Sequence, residues 1–237
     1  TPHYNNIVAT QWLDRNTLRP VFCTDDAEFG TSPQNMSTST VADELKISTK
    51  GAAIVYSVAP VKDAAVLSAG HAADGAFWVN DVTGQWTTSE YYSKGAQSLV
   101  RTFNNATSKR VTGDNDAVAD LSVTCVNKMG MGRDHITDML SVTLSAKGTE
   151  PTMWQSEMEV IYVKLDQTIA SLIKRIEDKV GSDKVMFVLT STGYVDEQPV
   201  DYQRFRIPSG TFYINRTANL LNMYLGAIYG QAKYVET

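Results

Sequence analysis

Cysteine and histidine are scarce in this chain of 237 residues, which has 2 cysteines and 3 histidines. Cys23 and Cys125 have no metal-type spacing. Each reads as a buried free thiol, and whether they pair in a disulfide stays open at the level of sequence. His3, His71 and His135 form no H-x-x-x-H or similar cluster, so spacing marks no zinc site. Basic blocks are missing as well. A formal charge of −5, from 21 basic and 26 acidic residues, argues against a nucleic-acid partner. No apolar run approaches the roughly 18 residues of a membrane span. No secretory signal stands at Thr1, although a matured chain would lack one in any case. Repeats and low-complexity tracts are absent. Asp114, Asp116, Asp120, Asp134 and Asp138 lack the D-x-D-x-D-G spacing of a calcium loop and read as helix caps and a solvated face.

What is present centres on Val185-Met186-Phe187-Val188-Leu189-Thr190-Ser191-Thr192-Gly193-Tyr194. Five apolar residues followed at once by small ones suit a strand covered on both faces of a parallel sheet. Upstream, Met158, Ile161, Leu165, Ile169, Leu172, Ile173 and Ile176 recur at steps of three and four. They predict one long helix over Met153–Val180, which Gly181 stops. A strand over Met139–Ser145 precedes it, and the three together read as a right-handed βαβ crossover. Ligands of such sheets bind beyond the carboxyl ends of the strands. Residues 145–150 and 191–194 are therefore expected side by side at that edge.

The remaining elements follow in chain order. Residues 1–37 read as a connecting segment with a short extended piece at Val21–Cys23. Thr40 caps a helix over Val41–Ile47, and Ala52–Val58 is a buried strand. Val61–Ala73 reads as a loop. Residues 76–79 and 85–89 form a hairpin about the turn 80–84, expected to lie as a lid or lobe, residues about 60–110, over the sheet. A polar loop covers 104–116, and Val118, Leu121, Cys125 and Val126 mark a helix ending near Met129. Asp196–Ser209 is a polar loop. A last helix over Thr217–Tyr229 has Leu220, Leu221, Tyr224, Leu225 and Ile228 on its apolar side. Trp12, Trp78 and Trp86 read as packing residues, and His71 as a packing or loop-bridging histidine. Asn35, Asn105 and Asn215 begin glycosylation sequons of the kind that arise by chance.

Several stretches in this order resemble the alkaline phosphatase superfamily, in its type I phosphodiesterase and nucleotide pyrophosphatase branch. They are Ile7–Asp14, Ala69–Trp78, Thr137–Val142, Tyr162–Asp166 and Val185–Thr190. The resemblance implies an α/β three-layer sandwich with a mostly parallel sheet and a small hairpin-containing lobe. It spans residues 1–237 as a single domain that lacks part of the family's length. It also implies two zinc ions and a Thr or Ser nucleophile in the family's chemistry. The first Asp ligand and the nucleophile belong upstream of Thr1, and the last zinc-binding His lies beyond Thr237. Other family positions have changed. The phosphate-contacting Asn falls at Thr10. The Lys-Asp-Arg motif appears as Lys62-Asp63-Ala64. The Asp and His after the first crossover strand fall in Ala146–Glu150, around Gly148, where neither occurs. The Asp-His pair after the second strand is Thr192-Gly193.

A catalytic zinc needs about three protein ligands, and Thr192 and Gly193 do not replace a carboxylate and an imidazole. The resemblance thus implies a catalytically inactive module with a binding or structural role, and no cofactor. A small phosphorylated or anionic ligand is expected near Lys62; a solvated lysine is the other reading there. The alternative is a metal-dependent phosphomonoesterase or phosphodiesterase completed by its flanks. The implied location is the bacterial envelope, periplasmic or secreted.

Overall fold

The computed structural model describes residues 2–107, 114–146, 154–191, 206–208, 210 and 212–235. The chain forms two compact units, Thr1–Leu189 and Thr190–Thr237. The first opens with a helical turn, α1 (Pro2–Asn5), and two antiparallel pairs: β1 (Gln11–Leu13) with β2 (Pro20–Phe22), and β3 (Asp25–Asp26) with β4 (Gly30–Thr31). Helix α2 (Val41–Ser48), β5 (Val55–Val58), α3 (Lys62–Ala69), β6 (Gly75–Val79), β7 (Trp86–Thr87), α4 (Lys94–Thr107), α5 (Asn115–Met129), β8 (Met139–Val142) and α6 (Trp154–Val180) follow.

The central sheet has the order β7-β6-β5-β8. β5 pairs parallel with β6 and with β8, and only β7 runs antiparallel. This is the α/β architecture that the sequence predicts. Every residue of β5 and β6 is buried, as a parallel strand covered by helices on both faces requires. The hairpin forms at the expected place. Its first strand lies inside the sheet, so Phe77, Trp78 and Trp86 are core residues rather than a cover. The stretch 60–110, expected as a lobe, therefore supplies two strands of the sheet, β6 and β7, and two helices, α3 and α4.

Local chemistry explains the helix ends. Thr40 Oγ1 accepts from the Asp43 N–H at 3.2 Å, and Asp43 Oδ2 accepts from the Thr40 N–H at 2.8 Å, a capping box. Asp114 caps α5 through the Ala117 N–H, and Gly130 ends it in a left-handed conformation. Helix α6 is as long as its period foretells. Leu172 and Ile176 are buried, and Met158, Ile161, Leu165, Ile169 and Ile173 are half-buried along the same stripe. The stripe packs against α5, where Thr168 donates to Asp116 at 2.7 Å and Arg175 to Asp120 at 2.8 Å.

Three sequence expectations are corrected. The stretch Val61–Ala73 is not a loop. Residues 62–69 form α3, whose small residues Ala65 and Ala69 let it sit directly on the sheet. Residues 104–107 belong to α4 rather than to a loop. The apolar run after α6 is not a strand of the sheet: a 3-10 turn, Ser182–Lys184, leads into Val185 in extended backbone, but residues 185–190 join no ladder. Met186, Val188 and Leu189 are 85%, 78% and 82% exposed. A strand needs a ladder partner for its N–H and C=O groups, and none of the described residues supplies one.

The second unit contains α7 (Ile214–Tyr229). Asn222 holds the chain after it, accepting from the Tyr234 and Val235 N–H groups and donating to the Val235 carbonyl. The apolar side expected on this helix is there, but Leu220, Leu221, Tyr224 and Ile228 are exposed.

Candidate functional site

Strands β5, β6 and β8 run parallel, so their carboxyl ends share one edge of the sheet. From Val58 the chain passes through Pro60 into α3, which places Lys62 in the first helical turn at that edge. Val61, the residue before α3, offers no side-chain cap. The first turn thus carries the Lys62 ammonium and the Asp63 carboxylate together, and its free N–H groups add the positive end of the helix dipole. The Lys62 Nζ lies 5.6 Å from the centroid of the Phe22 ring. The neighbouring Cys23 N–H donates to the Thr10 carbonyl at 2.9 Å. Thr10 and Lys62, singled out from sequence, are therefore linked through the end of β2. Ala64 is half-buried on the same turn as Lys62.

Cys23 is 1% exposed beneath this cluster. Burial pushes its thiol up to about 11; the Asp63 carboxylate adds to the shift and the Lys62 ammonium opposes it. At the end of β8, the Ser145 N–H donates to Asn115 Oδ1 and Asn115 Nδ2 donates to the Ser145 carbonyl, both at 2.8 Å. This pair fixes the start of α5 to the same edge. Gly148, Thr192 and Gly193 lie outside the described residues, as does the expected meeting of 145–150 with 191–194.

A second polar cluster, at the opposite end of the strands, was not foreseen in sequence. Asp43 is 4% exposed and accepts from the Thr40 and Ala72 N–H groups, at 2.8 and 2.7 Å. His71 bridges Asp43 (Nδ1, 3.3 Å) and the Met36 carbonyl (Nε2, 2.9 Å), the loop-bridging role expected of it. Asp74 takes Lys46 at 2.8 Å and the Val55 N–H at 2.8 Å. Asp138 takes the Ile54 and Gly132 N–H groups, both at 2.7 Å. All three carboxylates are engaged in joining loops to β5 or to α2. Only the capping spacing Thr40-x-x-Asp43 could have announced one of them. Among the described residues, no three His, Cys, Asp or Glu side chains cluster as metal ligands. Both cysteines are free and buried, which settles the disulfide question.

Parallel strands that open at one edge onto the first turns of helices define the α/β class of domain. Comparison with known proteins makes this specific. The model of the type I phosphodiesterase / nucleotide pyrophosphatase family matches residues 1–233, and the chain belongs to that family, within the alkaline phosphatase superfamily. It is 25% identical over 281 residues to alkaline phosphatase PafA of Elizabethkingia meningoseptica, covering 89% of this chain and 52% of the relative. It is 34% identical over 113 residues to alkaline phosphatase PhoV of Synechococcus elongatus, covering 44% of this chain and 20% of that protein. A protein of Myroides odoratus named calcium-transporting ATPase matches at 22% over 307 residues, covering 100% of this chain and 56% of its own length. The crystal structure of wild-type PafA superposes with a TM-score of 0.74 at 22% identity, over 97% of this chain and 57% of that one, and shows the shared fold. The chain spans about half the length of the first of these relatives.

Proposed function

We propose that this chain is a catalytically inactive member of its family that binds a small phosphorylated or anionic ligand at the carboxyl edge of the sheet. The observation that carries the reading is the pairing of Lys62 with the uncapped first turn of α3 beside Thr10. Backbone N–H groups and one ammonium suit an anion. The donor set does not suit two zinc ions. Ala146–Glu150 contains neither Asp nor His, and Thr192 and Gly193 stand where an Asp-His pair is implied. Asp63 is turned toward the Cys23 thiol. Without a metal there is no counter-charge for a transferring phosphoryl group and no activated nucleophile, so these residues carry no hydrolytic step. What the residues at hand do is hold an anion in place. Thr10 supplies a hydroxyl, Lys62 a charge, and Ala64 leaves open the space an arginine would fill.

The location that goes with this reading is the bacterial envelope. Its support is that the named relatives are bacterial. The test of function uses the full-length protein. Zinc content is measured, together with hydrolysis of p-nitrophenyl phosphate and titration with inorganic phosphate. Phosphate binding that Lys62→Ala abolishes, without bound zinc or turnover, is expected. Stoichiometric zinc with turnover would favour the metal-dependent phosphoesterase that the relatives' names suggest.

A further inference from the structure

His71 lies in the turn between α3 and β6, and both of its ring nitrogens face acceptors. Nδ1 is 3.3 Å from Asp43 Oδ2, and Nε2 is 2.9 Å from the Met36 carbonyl. Asp43 accepts from the Thr40 and Ala72 N–H groups and is a carboxylate with no proton to give. A carbonyl has none either. A neutral imidazole carries one N–H and donates to only one of the two, whereas an imidazolium donates to both. The two contacts are therefore hydrogen bonds together only in the charged ring. The side chain is 36% exposed, so solvent protons reach it. The charged and titratable groups around it come from every neighbouring element. They are Asp43 from α2, the Lys46–Asp74 pair, Tyr91 from the connection between β7 and α4, and Asp26 from β3 beyond Tyr91. In Asp43 hydrogen bonds outweigh burial and hold the carboxyl low, and the Ser32 hydroxyl holds Asp26 low. Burial, with the charges of Asp43 and Asp26, holds the Tyr91 hydroxyl high. Asp43, Asp26 and Tyr91 thus keep one charge state between about pH 5 and 8, the range in which histidine ordinarily changes its own.

On one side of the ring stands Asp43, fixed to α2 by its capping box. On the other stands the segment 33–37. Its Met36 is buried, and the Met36 N–H donates to the Pro33 carbonyl at 2.9 Å. The Ser37 N–H donates to the Asn5 carbonyl at 3.0 Å, and the Ser37 hydroxyl to the Tyr4 carbonyl at 3.1 Å. Asn35 Nδ2 donates to the Asp25 carbonyl at 3.0 Å. The segment thus gathers α1 and the start of β3. We propose that His71 is a proton-operated latch, which as an imidazolium ties residues 33–37, and with them α1 and the start of β3, to α2. On losing a proton it lets one side go. A neutral ring that keeps Met36 turns a lone pair toward the Asp43 carboxylate, which repels it. A neutral ring that keeps Asp43 leaves the Met36 carbonyl without this donor. Either way the connection from α2 to Met36 is broken, so the latch is closed at low pH and open at high pH.

Amide hydrogen exchange on the full-length protein, expressed as protection factors from about pH 5.5 to 8, tests this. The Met36 and Ser37 N–H groups should lose protection roughly tenfold or more as pH rises, the effect of losing one charge-assisted hydrogen bond. The Ala59 N–H, bonded to the Phe77 carbonyl in the sheet, should hold its own. The midpoint of the change should coincide with the titration of the His71 ring followed by nitrogen-15 NMR. In His71→Gln the protection of Met36 and Ser37 should no longer vary with pH. Constant protection in the parent overturns the proposal, as do two separate midpoints or an equal fall in the variant. A fall shared by Ala59 overturns it as well, because the whole fold then responds. The comparison of midpoints needs no variant, so it decides the matter even where His71→Gln fails to fold.

Discussion

Gly70 ends α3 with φ 76°, and a Cβ there would collide with Thr40 Oγ1 and stand 2.6 Å from Asp43 Oδ2. The backbone is one that glycine alone adopts readily, and its close approach completes the Asp43 cluster. Gly70→Ala should therefore cost on the order of 1–3 kcal/mol from the backbone alone, with displacement of the cap in addition, read as a fall in the urea midpoint. Asp43 itself gives the pH dependence its direction. Burial pushes its carboxyl up, but hydrogen bonds from the Thr40 and Ala72 N–H groups, the Thr40 hydroxyl and His71 outweigh burial and hold it below the usual carboxylate range. A depressed carboxyl stabilises the fold above its unfolded value, about 3.9, and this contribution is lost as pH falls through the lower folded value. Urea titrations from pH 6 down to pH 2 should show that acid limb. In Asp43→Asn the limb should be shallower and the stability at pH 6 lower, and an unchanged limb would remove Asp43 from the account.

Among the described residues α5 and α6 pack on each other most extensively, and Val118, Leu121, Cys125, Leu172 and Ile176 from them are buried in the main core. Leu121 is wholly buried, so Leu121→Ala should cost about 2–5 kcal/mol, measurable by chemical denaturation. Arg175→Ala breaks only a partly exposed pair with Asp120 and should cost at most about 1 kcal/mol. These helices were legible in the sequence because each has a polar face opposite an apolar stripe. Helix α3 was not, because Ala64, Ala65, Ser68 and Ala69 carry no contrast, and small residues on a buried helix read as a loop. The run 185–190 misled in the other direction. Its apolar composition announces a strand, but a strand is a relation between two segments, and pattern within one cannot show whether the other is present. The candidate site was legible at Lys62 and Thr10 through family motifs alone. Asp43 and Asp74 escaped notice, and Asp138 read as a cap or solvated residue although it accepts from the Ile54 and Gly132 N–H groups, because isolated aspartates give no sign of the distant N–H groups they will accept from.

For the molecule as a whole, the proposed loss of metal chemistry is distributed. Thr192→Asp with Gly193→His restores one ligand pair and leaves Ala146–Glu150 without any, so the double variant should hydrolyse p-nitrophenyl phosphate no faster than the parent in added zinc; a zinc-dependent rate would refute this. The two thiols allow the molecule to be followed in time. Cys125 lies inside α5 in the main core, and burial raises its thiol far above the ordinary value. Cys23 sits at the end of β2, held to Thr10 and near Asp63. Neither reacts with an aromatic disulfide until its surroundings open, so each is a clock wound into a different part of the structure. Release of residues 10–23 from α3 starts the first, and global unfolding alone starts the second. Labelling of single-cysteine variants in native buffer should thus give two rates, with Cys23 the faster, and a phosphate-type ligand held at Lys62 should slow that clock while leaving Cys125 unchanged.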